Sequence, residues 1–261
     1  MKPYLQFGTE LAEKAGEIML KYFTLGIKNE WKSDNTPVTE ADIAVNKLVI
    51  ESVLKEYSTH GILGEEESFM QDSEYIWVCD PIDGTIPFLH GMPTFTFSLA
   101  LTHNGDSIVA IVYDPVLKRM YTAEKGKGAF LNGKKISVST AESFARQHIG
   151  VEGTLRSGFA IEKFREALDE KGVRMYSVLS TSYEGLQVAR GEFIASIFLK
   201  NNPWDNAGIK LLIDEAGGKT TDLYGNEQRY DKPMKGFVGS NGVIHDELIE
   251  LIKSTMLNNS K

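Results

Sequence analysis

One cysteine stands among 261 residues, so no internal disulfide can form and the chain suits a reducing compartment. That residue, Cys79, follows the apolar run Ile76 to Val78, where a buried structural thiol is expected rather than a nucleophile. The five histidines, at 60, 90, 103, 148 and 245, lack the spacing of a zinc site. No apolar run approaches the ~20 residues of a membrane span. The start, MKPYLQFGTELAEK, becomes charged too early for a signal peptide, so a cytoplasmic protein without membrane contact is expected. Basic charge is outnumbered, 28 Lys and Arg against 36 Asp and Glu, and the net charge of -8 argues against a nucleic-acid partner. Neither a G-x-S-x-G elbow nor a G-x-x-x-x-G-K phosphate loop occurs.

What is present concentrates in residues 77–93, WVCDPIDGTIPFLHGMP. Asp80 and Asp83 flank a Pro-Ile pair and lead into a Gly84-Thr85 turn. Carboxylates so close on a bend can face one small volume, which suits hard cations such as Mg²⁺. Backbone N–H groups of the adjoining turn suit a phosphate. Asp-Pro and Asp-Gly pairs also make ordinary turns, so the stretch alone leaves both readings open. Two further segments carry acids at element ends. Gly64-Glu65-Glu66-Glu67 closes an apolar run, and Pro203-Trp204-Asp205 opens a helical pattern that stops at Gly217-Gly218.

Periodicity predicts helices over 4–23, 39–57, 159–170, 182–190, 204–216 and 243–255, with a short one after Gly84. Strands are predicted at 60–64, 75–80, 95–103, 107–113, 118–124, 174–179 and 192–199. Asn104-Gly105 and Asn132-Gly133 read as hairpin turns, the second joining 129–131 to 136–138. Thr39 with Asp42 fits a helix-capping pair. The polar, turn-rich residues 31–37 read as a mobile loop. Pattern alone gives a layered α/β or α+β protein, with a boundary near 140–150 dividing 1–145 from 146–261 within one unit.

The combination resembles the inositol monophosphatase family of metal-dependent phosphatases. The residues that carry the resemblance are GEE at 64–66, DPIDGT at 80–85, Phe88, Gly91, Pro93, Trp204-Asp205 and Gly217-Gly218, supported by Thr39 to Asp42 and by GKGAFLNG at 126–133. It covers nearly the whole chain. It implies an α+β fold, the αβαβα sandwich of the sugar phosphatases, a magnesium-dependent, lithium-sensitive phosphomonoesterase, and a homodimer acting on a small phosphorylated metabolite. It implies two Mg²⁺ ions, with a third, weaker one, held by Glu65, Asp80, the Ile82 carbonyl, Asp83 and Asp205.

By the same resemblance, Glu65 and Thr85 hold the attacking water, Gly84 and Thr85 hold phosphate oxygens, and Asp205 serves both metal and substrate. Residue type alone also allows Thr85 or Asp205 to be an N-cap. Asp42 is either a helix-capping acid or a neighbour of Thr85 near the third ion. Lys32 is either a solvated side chain or a phosphate contact on a lid formed by residues 31–37. Ile86-Pro87 follows the turn where the family commonly carries Thr-Asn, and residues 195–198 contain no acid. Both departures point away from inositol phosphate, leaving histidinol phosphate, fructose bisphosphate and nucleotide phosphates as alternatives. A noncatalytic metal- or phosphate-binding protein on the same scaffold is the reading from another class.

Overall fold

A computed structural model describes residues 1–23, 29–31, 37–153 and 159–257. The N-terminal elements are α1 (Tyr4–Phe23), β1 (Asn29–Trp31), β2 (Pro37–Thr39) and α2 (Glu40–Glu56). Apolar residues at helical spacing, Phe7, Leu11, Ala12, Ala15 and Met19, give α1 one buried stripe. Thr39 starts α2 with a full capping box. Its Oγ1 accepts from Ala41 N and Asp42 N, while Asp42 Oδ2 accepts from Thr39 N at 2.8 Å.

A seven-stranded sheet follows: β3 (Gly61–Gly64), β4 (Tyr75–Asp83), β5 (Thr96–His103), β6 (Asp106–Asp114), β7 (Arg119–Glu124), β8 (Gly128–Leu131) and β9 (Lys134–Lys135), in that spatial order. Only β3 and β4 run parallel. Asn104 and Gly105 both take positive φ, 50° and 82°, as a two-residue hairpin requires. The short α3 (Thr85–Leu89) leaves the end of β4.

The later residues build α4 (Ile161–Glu170), α5 (Thr181–Ala189), α6 (Pro203–Glu215) and α7 (His245–Ile252), which ends in a π turn over Lys253–Leu257. They also build a five-stranded sheet from β10 (His148–Glu152), β11 (Arg174–Tyr176), β12 (Ala195–Phe198), β13 (Lys219–Thr221) and β14 (Phe237–Ser240). Its order is β11-β10-β12-β14-β13, with the first three strands parallel.

Helices α1 and α2 pack on the seven-stranded sheet, and α5 and α6 pack together between the two sheets. Helices α4 and α7 share an apolar cluster with the five-stranded sheet. The result is the expected αβαβα sandwich. It also corrects several expectations. The second strand of the Asn132-Gly133 hairpin ends at Lys135; Ile136 N still donates to Ala129 O, but Val138 N donates to Ala216 O instead. The strand expected over 174–179 ends at Tyr176, because residues 177–179 turn toward the site described next. Strands β10, β13 and β14 were not anticipated. No helix among the described residues is long and apolar enough to cross a membrane.

Candidate active site

The site is built where β4 ends. One extra residue bulges between Asp80 and Asp83, which pair with Ser98 and Thr96 of β5. Asp80 Oδ1 accepts from Ile82 N at 3.0 Å, a tight local turn that holds its carboxyl at the strand end. Gly84 then takes φ +97°, and a Cβ there would lie 2.8 Å from Thr94 O, so only glycine fits. Gly84 is the N-cap of α3. Thr85, allowed above as the cap, is instead its first helical residue, and its Oγ1 donates to Ile82 O at 3.2 Å.

Asp205 arrives from far along the chain, in the first turn of α6. That helix is capped at Asn202 and opened by Pro203, so Asp205 is not the N-cap either. The carboxylates of Asp80, Asp83 and Asp205 are buried, each with an oxygen within 4.8 Å of the others. Asp83 is the best supplied with donors. Its Oδ2 accepts from Ser180 Oγ at 3.0 Å and from Ser182 N, and its Oδ1 accepts from Thr181 N at 3.2 Å.

Burial raises all three acids, and repulsion from neighbouring carboxylates raises Asp80 and Asp205 further. Burial, then Glu65, holds Asp80 well above the usual carboxylate range. Burial, then Asp83, does the same to Asp205, which is hydrogen-bonded to Asp80. Burial lifts Asp83 to about 6 against its donors from Ser182, Ser180 and Thr181. Hard oxygen donors that repel one another fit a divalent cation, whose charge would offset that repulsion. Glu65 lines the same cleft, about 640 Å³, as these three acids. Asp42 is pushed up to about 7, by burial first, and its Oδ1 is buried without a partner while Oδ2 completes the capping box.

The sequence profile of the inositol monophosphatase family matches residues 1–257. The chain belongs to that family. It is 32% identical over 253 residues to a Thermotoga maritima protein named fructose-1,6-bisphosphatase/inositol-1-monophosphatase, covering 97% of this chain and 96% of that one. It is 33% identical over 259 residues to a Chlorobaculum parvum histidinol-phosphatase, covering 97% of each. The solved structure of a Thermotoga maritima IMPase superposes with a TM-score of 0.88 at 30% identity, over 96% of this chain and 97% of that one. The family member described here is accordingly an enzyme, a phosphoric monoester hydrolase with a small phosphorylated substrate.

Of the residues singled out from the sequence, Glu65, Asp80, Asp83, Gly84 and Asp205 meet in this one cleft. Ile82 and Thr85, joined by a hydrogen bond, are not among its lining residues but flank Asp83 and Gly84, which are. Asp42 sits beside it, close enough to feel Glu66 and Glu65. Of the lid expected over 31–37, Trp31 and Pro37 instead pair at the ends of β1 and β2, and Lys32 with residues 33–36 lies outside the described residues. Two acids that the sequence reading passed over, Glu152 and Glu184, adjoin the site. Glu152 lines the cleft, and Glu184 is buried beside it. The available signal was Glu184 itself, a charge on the apolar pattern of α5.

Proposed function

We propose that this family member hydrolyses a small phosphate monoester, other than an inositol phosphate, with Mg²⁺ held by Asp80, Asp83, Asp205, Glu65 and the Ile82 carbonyl. The observation that carries the reading is the buried carboxylate triad in a cleft that Ile86, Leu179 and Phe198 also line. Divalent ions bound there supply charge neutralisation, Lewis acidity and a readily deprotonated water.

The protein's own groups do the positioning. The Thr85 hydroxyl hydrogen is committed to Ile82 O, so Oγ1 is left to accept and can orient the attacking water. Glu65 takes the water's second hydrogen on a carboxylate oxygen. The Gly84-Thr85 turn places backbone N–H groups against phosphate oxygens. Asp205, at the opening of α6, faces the leaving group. Asp42 Oδ1, buried and unpartnered, is the acceptor we assign to a third, weaker ion. We place the enzyme in the cytoplasm as a homodimer, with residues 1–145 carrying most ligands and 146–261 supplying Asp205.

Ile86 and Phe198 bring no hydrogen-bonding group to the several hydroxyls of inositol, which leaves those contacts to Glu152, Lys200 and Asn202 elsewhere in the cleft. Histidinol-phosphatase and fructose-1,6-bisphosphatase activities appear in the names of two relatives, so their substrates head the panel. Phosphate release should be followed with Mg²⁺ for inositol 1-phosphate, histidinol phosphate, fructose 1,6-bisphosphate and adenosine bisphosphate. A higher kcat/KM for one of the last three is expected. Inositol 1-phosphate as the best substrate would contradict the assignment.

A further inference from the structure

Glu184 is 1% exposed, and no cation pairs with it among the described residues. It lies over Gly150, where a Cβ would come within 2.5 Å of its Oε2. Glu152, two residues further along β10, projects from the same face of that strand and is hydrogen-bonded to Glu184. Burial, then Glu152, pushes Glu184 up to about 10, which favours its neutral form.

Both acids grip the same short piece of backbone. Glu184 Oε1 accepts from Val178 N at 2.8 Å. Glu152 Oε1 accepts from Ser177 Oγ and from Leu179 N, each at 2.7 Å. Leu179 sits at φ +59°, a left-handed conformation that a leucine adopts only when its surroundings impose it. The next three residues, Ser180, Thr181 and Ser182, are the ones that donate to the Asp83 carboxylate.

We propose that Glu152 and Glu184 form a positioning clamp, which holds residues 177–179 so that Ser180 Oγ, Thr181 N and Ser182 N converge on Asp83 and fix its carboxylate for the metal. This rests on the metal assignment above. Glu184 is outside the cleft lining, and Glu152 commits Oε1 to Ser177 and Leu179. Both act through the backbone they hold, as partners one step removed from a metal ligand commonly do.

The test compares Glu184→Gln with Glu184→Ala. Glutamine reproduces a neutral acid, with one oxygen to accept from Val178 N and one amide to donate to Glu152. Mg²⁺ affinity by calorimetry should stay within about twofold of wild type in Glu184→Gln and fall by about 10- to 100-fold in Glu184→Ala. Amide exchange at Thr181 and Ser182 should quicken in the alanine variant alone. Should Glu184→Ala not fold, Glu152→Ala, at a half-buried position, takes its place with the same expected losses. A folded alanine variant with wild-type Mg²⁺ affinity and wild-type exchange at 181–182 would overturn the clamp, and so would a glutamine variant as impaired as the alanine one. If the wild-type protein binds no Mg²⁺, the metal assignment fails. The exchange comparison then still decides whether the two acids hold residues 180–182.

Discussion

At the scale of single residues, the three aspartates differ in what an amide would do to each. Asp80 Oδ1 accepts from Ile82 N, and the side chain hydrogen-bonds to Asp205, so an asparagine can keep the first contact and donate in the second. Asp80→Asn removes a charge from a repelling cluster. It should raise the thermal midpoint of the metal-free protein while removing most activity. Asp83 is different, because its two oxygens receive three donors and an amide would turn an N–H toward one of them. Asp83→Asn should therefore destabilise the metal-free protein, by about 1–3 kcal/mol, as well as weaken metal binding. Equal thermal shifts in the two variants would contradict this distinction.

The same acids set a pH dependence. Asp83 and Asp42 are raised to about 6 and about 7 from an ordinary carboxylate value near 4. The folded state thus binds more protons than the unfolded one across that window, and its stability falls as pH rises through it. Urea midpoints measured in chelator should be higher at about pH 5 than at about pH 8, and Mg²⁺ should shrink the difference. A midpoint that rises with pH in chelator would show that the acids are not strained by burial. Asp205 was singled out by the family resemblance, whereas Asp80 and Asp83 were legible in the sequence because an apolar strand stops abruptly at them. The donors to Asp83 were not, because Ser180 to Ser182 lie about a hundred residues away and only the fold brings them together.

At the scale of elements, local chemistry decided what could be read. Helix α2 was legible because Thr39 and Asp42 cap each other, and both halves of the box are present. Thr39→Ala should cost about 1–2 kcal/mol of unfolding free energy, measured by denaturant titration. A loss within error would show that the cap is redundant with the packing of Val45, Val49 and Val53. The Asn104-Gly105 hairpin was found where expected, and Asn132-Gly133 also turns, but into Lys134–Lys135 rather than 136–138. Strands β10, β13 and β14 escaped because they are short and buried by neighbours distant in sequence. His148–Glu152, for example, offers no alternation and pairs with residues that follow it by many positions. The overlong 174–179 strand failed for a related reason. Glu152 and Glu184 capture the backbone of 177–179 that a strand partner would otherwise use.

At the scale of the molecule, the sandwich brings the end of β4, in one sheet, against the opening of α6, which lies between the sheets. Pattern pointed to the layers, but no periodicity states that Asp83 and Asp205 become neighbours. That contact is a property of the topology. An acidic protein of net charge -8 whose cleft holds further buried acids presents the wrong sign to a phosphate ester until cations fill it. Metal dependence is therefore the central claim. Phosphate release from the ester panel should be measured on protein stripped with a chelator, before and after Mg²⁺ is restored. No turnover in chelator and recovery with Mg²⁺ is the predicted result, and full turnover in chelator would contradict it.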